Sequence, residues 1–266
     1  MPAVDRTRLA RQAAHVADAA DDPQVLQRRF REVVEFYADR TRRPTPDTEG
    51  YGAPPTVVRA VASALIEKAE TPERAALWAD LLWSIRLREA RLAAAMLIRG
   101  QPPSDLLDRI LAWAGDTRDP EVLKELAGPT LGDLRRRAPS EFLEAMKSGV
   151  ASGHPGRRAF ALRALADAAA DRQFQGLPDA LEVMARGGEA PVGDEARALL
   201  LLVAALARRT PGETARVLRE ALEARKPWAY RLAAAALPEL PEATRASLQR
   251  SLSASRAAGI MPRTKD

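Results

Sequence analysis

An all-α fold is the prediction for this chain, and three observations carry it. First, 46% of the 266 residues are apolar but only 5% are aromatic, so the core is built mainly from Ala, Leu and Val. Ala, Leu and Arg lead the helix-propensity ranking, and small side chains let helices approach closely. Second, helix-start punctuation recurs: Asp22-Pro23, Thr71-Pro72, Asp119-Pro120, Pro139-Ser140-Glu141, Thr210-Pro211 and Pro241-Glu242. These read as N-caps or first turns, where the missing N–H of Pro costs nothing. Third, the segments between them carry apolar residues at helical spacing, and no window shows strand-like alternation with hairpin signals.

The elements follow in order. Over 23–42 the apolar stripe is Val25, Leu26, Phe30, Val33, Val34 and Tyr37, and over 56–69 it is Val57, Val58, Val61, Leu65 and Ile66. The segment 72–85 offers Leu77, Leu81, Leu82 and Ile85, and 87–99 offers Leu92, Met96, Leu97 and Ile98. Further helices are predicted over 104–114, 120–127, 129–137, 140–149, 157–171, 177–186, 194–209, 212–225, 227–237 and 241–253. The irregular stretch "TRRPTPDTEGYGAPP" (41–55) is expected to be an ordered connection and not a domain boundary. A single domain over 1–253 is expected, followed by a loose polar tail at 254–266.

From about residue 55 the predicted helices fall into pairs with a period of roughly 30–40 residues, the rhythm of a HEAT-type α-solenoid. About six such pairs are expected, with a basic concave face.

Composition excludes several function classes. The chain has no cysteine, which removes disulfides, thiolate metal sites and a Cys nucleophile, and only His15 and His154 are available as imidazole ligands. No cofactor and no metal are expected. The N-terminus "MPAVDRTRLARQ" has no apolar signal core, and the richest apolar run, "ALLLLVAALA" from Ala198, is too short for a membrane span. A cytoplasmic monomer with no membrane role is the expectation. No phosphate-cradling Gly-rich loop, nucleophile elbow or zinc-protease helix is present.

The formal charge is +5, from 41 basic against 36 acidic residues, and only five of the basic residues are Lys. Arg presents a planar fork of donors suited to phosphate. Three groups stand out. Arg88 and Arg91 are three apart on one helix, Arg157 and Arg158 open a helix after Gly156, and Arg197 opens "ARALLLLVAALARR". The macrodipole gives no reason for cations at a helix N-terminus, so Arg157 and Arg158 point to an anionic partner. Arg135, Arg136 and Arg137 lie at a helix C-terminus, where the dipole by itself explains them. Arginines in register across neighbouring repeats would follow the phosphate backbone of duplex DNA.

The segments "YGAPPTVVRAVASAL" (51–65), "REARLAAAMLI" (88–98), "LAGPTLGDLRRRAP" (126–139) and "ASGHPGRRAFALRAL" (151–165) occur in an order that resembles the AlkD-like alkylpurine DNA glycosylases. The resemblance covers roughly residues 25–250. It implies a curved HEAT-like solenoid gripping duplex DNA, with Arg158 matching an arginine at the family's lesion-binding centre.

The chain departs from that pattern where the family carries a Trp and an Asp before "LAGPTLGD" and a second Trp on a later helix. Here "GDTRDPEVLKELAG" places Pro120 and Glu121 near the first two positions, and the later one falls near Leu201. A carboxylate stabilises an oxocarbenium-like sugar, and aromatic faces hold a cationic alkylated base. Asp119 and Glu121 are the candidate replacement acids, although capping of the helix after Asp119-Pro120 also explains both.

Three readings follow. The first is a duplex-DNA-binding relative of these glycosylases with weak, altered or no base excision. The second is an active alkylpurine glycosylase with a rewired site, and the third a protein-binding helical-repeat scaffold.

Overall fold

The computed structural model describes residues 5–39, 49–186 and 193–257, and the expected fold class holds: the described residues are all-α. Fifteen α-helices are found among them. The helices are α1 (Arg6–Ala17), α2 (Pro23–Phe36), α3 (Pro55–Ala69), α4 (Pro72–Trp83), α5 (Arg88–Leu97), α6 (Pro103–Asp116), α7 (Pro120–Glu125) and α8 (Leu131–Arg137). They continue with α9 (Pro139–Ala151), α10 (Pro155–Ala170), α11 (Leu177–Arg186), α12 (Gly193–Arg209), α13 (Pro211–Glu223), α14 (Ala229–Ala236) and α15 (Glu242–Ala257).

Local chemistry sets most of the starts. Asp22 accepts the N–H groups of Gln24 and Val25, Thr71 accepts that of Arg74, and Asp119 accepts those of Glu121 and Val122. Each removes orphan donors from a helix N-terminus, with Pro following at the first helical position. Thr210 differs: its hydroxyl donates back to the Leu206 carbonyl at 3.2 Å and caps nothing.

Helix α1 was not among the predicted elements. Asp5 caps it through the N–H groups of Thr7 and Arg8, and Leu9, Ala13, Val16 and Ala17 form its buried stripe. Between α7 and α8 the chain does not break but widens into a π-turn at Leu126–Thr130. Pro129 lies inside it and has no N–H for the i−4 bond, so the wider turn accommodates the ring. Helix α15 runs on to Ala257, into the segment expected to be loose. Residues 41–48 of the irregular stretch and 258–266 of the tail lie outside the described residues. The described part of the connection is pinned: Arg88 donates its N–H to the Glu49 carbonyl at 2.8 Å, and Ala53 donates to the buried Glu89 carboxylate at 3.1 Å.

The chain forms two compact units, Met1–Leu134 and Arg135–Asp266. In the first, α1 packs on α2 and α3, α2 on α3 and α4, α3 on α4 and α5, and α5 on α7. Leu26, Phe30, Val57, Val61, Leu65, Leu82 and Ile110 are wholly buried there. In the second, α9 packs on α10 and α11, α10 on α11 and α12, and the rule continues: α11 meets α12 and α13, α12 meets α13 and α14, and α13 meets α14 and α15. In the second unit each helix from α9 to α13 thus touches both its next and its next-but-one neighbour.

Helices α10 and α12 make the most extensive of these contacts. Ala161, Ala164 and Ala168 of α10 and Ala198 and Ala205 of α12 are all buried, and small side chains permit the close approach. Among the described residues no helix is long and apolar enough to cross a membrane.

Candidate nucleic-acid interface

Charged residues gather in two places, one in each unit. In the second unit, α10 and α12 run parallel, and hydrogen bonds tie them at both ends. At the N-terminal end Arg158 donates from Nε and Nη2 to Glu195 Oε2, at 3.2 and 3.0 Å, and from Nη1 to the Ser152 carbonyl at 3.1 Å. At the C-terminal end Arg209 donates to the carbonyls of Ala169, Asp171 and Arg172. The first turns of two parallel helices therefore lie side by side, and their dipoles add to the positive field there.

Three predicted site residues meet at this place. Arg157 is exposed in the first turn of α10, whose N-cap position, His154, supplies no side-chain acceptor. Arg197 is 81% exposed just past the first turn of α12 and makes only an i,i+3 ion pair with Asp194 at 3.2 Å. Such an exposed pair is weak and readily exchanged for another anion. Arg158 is committed within the fold, while Arg157 and Arg197 face solvent.

The other predicted residues, in the first unit, turn inward. Arg88, 12% exposed at its side chain, donates from Nε to Asp119 Oδ2 at 2.7 Å. Arg91 is 5% exposed at its side chain and reaches Asp116 Oδ2 at 2.9 Å and the Asp116 carbonyl at 3.3 Å. Their spacing puts both on one face of the helix, opposite the Ala/Leu/Met stripe, where solvent would be expected. Burial of α5 on several sides is the reason they do not meet it, since Ala90, Ala93, Ala94 and Ala95 are also buried.

Asp119 is fully buried, with Oδ1 accepting the N–H groups of Glu121 at 2.9 Å and Val122 at 3.2 Å. Burial by itself would raise its carboxyl. The Arg88 hydrogen bond and the two amides outweigh that and hold it below the usual carboxylate range. Burial pushes the Arg91 guanidinium down, against the pull of Asp116. For Arg88 burial is also the largest influence, but the Asp119 hydrogen bond and charge together exceed it and the net direction is upward. Glu121 is exposed in the first turn of α7, beside its cap.

Sequence reasoning missed the aromatic part of this first-unit cluster. Trp83 and Trp113 stack with ring centroids 4.3 Å apart and planes 5° from parallel, and Arg91 lies 4.7 Å over Trp83. Trp83 Nε1 donates to Asp116 Oδ2 at 3.2 Å, so a half-exposed carboxylate is oriented by an indole and a guanidinium. The only signal available was the presence of Trp78 and Trp83 on α4 and Trp113 on α6, which says nothing of which rings pair. Arg135, expected to have a structural role, is half-buried, with Nη1 in the interior without a hydrogen-bond partner. No group of residues that could hold a metal is found among the described residues.

Comparison with curated proteins and with solved structures finds no match. A family model does match: that of the DNA alkylation repair enzymes, over residues 24–187, which takes in α2 through α11 and agrees with the resemblance seen in the sequence. More than half of the chain is covered, and the chain belongs to the DNA alkylation repair enzyme family.

Proposed function

We propose that this protein binds duplex DNA in the repair of alkylation damage, holding it by its phosphates. The observation that carries the reading is the pair of parallel helix N-termini in the second unit, with Arg157 and Arg197 exposed on them. Backbone N–H groups and a converging dipole field favour an anion at such a place, and Arg adds bidentate donors. Arg158 is a positioning residue here, holding the two first turns together through Glu195. The stacking of neighbouring helices within each unit supports a HEAT-like repeat architecture.

Base excision is weak, altered or absent in this reading. The positions where the resembling glycosylases carry their aromatic and acidic groups hold Pro120, Glu121 and Leu201. Leu201 is 44% exposed on α12 and offers no π-face for a cationic base. The test is fluorescence anisotropy with an undamaged labelled duplex across a salt series. Binding is expected to weaken with salt, with a log–log slope of about −2 or steeper, and to vary little with sequence. Absence of binding at low salt, or binding that ignores salt, would overturn the reading.

A second reading, an active glycosylase with a rewired site, draws on the Trp83–Trp113–Asp116 cluster. An oriented carboxylate beside stacked indoles supplies the two elements that an oxocarbenium-like sugar and an alkylated purine call for. It predicts release of methylated or bulky alkylated purines from duplex DNA, lost in Asp116→Asn, Asp119→Asn or Glu121→Gln. No release by the unaltered protein sinks this reading and leaves the first intact.

A further inference from the structure

Helix α1 lies outside the family match, yet with α2 it forms a cleft of about 690 Å³ in the first unit. That volume is within the range of ligand sites, about 300–1,000 Å³. One wall is Arg8, Arg11, Gln12 and His15, at i, i+3, i+4 and i+7 of α1; the other is Arg29, Val33 and Phe36, at i, i+4 and i+7 of α2. Two helix faces are thus set against each other: α1 brings Arg8 and Arg11, and α2 brings Arg29 with one acid, Glu32. Between Asp5 and Asp18, α1 carries no carboxylate at all. The one acid lining the cleft, Glu32, faces Arg28 on its own helix at 3.8 Å.

The walls are fixed in place. Arg29 donates from Nη1 to the His15 carbonyl at 2.7 Å, and Tyr37, buried beneath, donates its hydroxyl to Gln12 Oε1 at 2.9 Å. Phe36 is 43% exposed, an unusual position for a large apolar ring, and the Arg8 guanidinium lies 4.3 Å over it. A guanidinium stacked on an aromatic ring is a flat, cationic platform of the kind on which an unpaired base stacks. Arg11 is exposed on the same wall, with no carboxylate within ion-pair distance among the described residues.

We infer that the α1–α2 cleft binds an unpaired stretch of DNA strand, one base stacking on the Arg8–Phe36 platform and the neighbouring phosphates meeting Arg11 and Arg29. The cations are spread along two walls and do not converge on one point, which suits a repeating anion better than a single phosphate. The exposed ring needs a base with a free face, which a duplex does not offer. The site is separate from the duplex contacts proposed on α10 and α12.

The test is binding of a labelled oligo(dT) of about twelve nucleotides, a length typical of single-strand sites. The unaltered protein is expected to bind it. Phe36→Ala is expected to weaken binding roughly ten-fold through loss of stacking. The double variant Arg8→Ala/Arg11→Ala is expected to flatten the salt slope by about 1.4. Phe36 lies at the surface, so circular dichroism of that variant should match the parent. Inorganic phosphate or free thymidine monophosphate competing as well as the oligonucleotide would overturn the inference in favour of a small-anion site. Polyglutamate binding equally, with no effect of Phe36→Ala, would overturn it in favour of an acidic protein partner. Loss of oligo(dT) binding in Arg157→Glu/Arg158→Glu but not in Phe36→Ala would place the strand on the second unit, ending this inference while leaving the duplex reading standing.

Discussion

Replacing Asp119 by alanine is expected to cost about 3–5 kcal/mol of folding stability, the range for breaking a buried ion pair from one side. Asp119 is fully buried and Arg88 nearly so, and 2.7 Å separates Arg88 Nε from Asp119 Oδ2. The substitution removes that counter-charge and also uncaps α7, because Oδ1 holds the N–H groups of Glu121 and Val122. Asp119→Asn should lose less, since its amide oxygen can still accept those two donors while offering Arg88 only a neutral partner. Denaturant melts of the three proteins measure the order. A loss below about 0.5 kcal/mol in Asp119→Ala, the size of an ordinary surface substitution, would show that the pair contributes nothing net.

The pH dependence has a definite sign. Asp119 has a lowered carboxyl in the folded state. Its contribution is therefore fully present above the unfolded value, about 3.9, and is lost as pH falls through the lower folded value. The difference between the parent and Asp119→Ala should thus be constant near neutrality and shrink below about pH 4.

The double variant Arg157→Glu/Arg158→Glu is expected to abolish measurable duplex binding at physiological salt. Residual binding at low salt should show a slope flatter by about 1, the share of Arg157, because Arg158 acts through Glu195 and not on a phosphate. The two arginines act differently, and single variants separate them. Arg157 is exposed and bonded to nothing that orders the fold, so Arg157→Glu should weaken binding, flatten the slope by about 1 and leave the melting temperature alone. Arg158→Glu sets two carboxylates against each other where Arg158 and Glu195 now pair, with side chains 30% and 19% exposed. It should weaken binding and also lower the melting temperature by loosening α10 from α12. Duplex affinity equal to the parent in the double variant would remove the second-unit phosphate site.

Most helix boundaries could be read from the sequence because the forces that set them are local. An Asp or Thr before a Pro reaches only the N–H groups two or three residues ahead, as at Asp22, Thr71 and Asp119, and a 3.6-residue stripe is visible in any window. The same chemistry was present at Asp5 and Leu9, so α1 was legible too, and with it the arginine spacing of the α1–α2 cleft.

The candidate site was legible only by position. The sequence put Arg88 and Arg91 on one helix, Arg157 and Arg158 at the start of a second and Arg197 near the start of a third, and the structure keeps them there. What each arginine faces was decided by packing, because their partners lie far along the chain: Asp119 is 31 residues from Arg88, and Glu195 is 37 from Arg158. Periodicity names a face of a helix but not the helix that covers it, which is also why the Trp83–Trp113 stack was invisible.

Arg158 shows the division most clearly. Its own dipole gives it no reason to sit at the start of α10. The reason is Glu195, an acid that the dipole of α12 favours and that parallel packing brings to within 3.0 Å. The sequence by itself determined an all-helical chain with arginines at two helix starts. Only the tertiary structure decided which of them are bound within the fold and which remain turned to solvent, because that choice depends on long-range packing of alanine-lined helices and not on any local pattern.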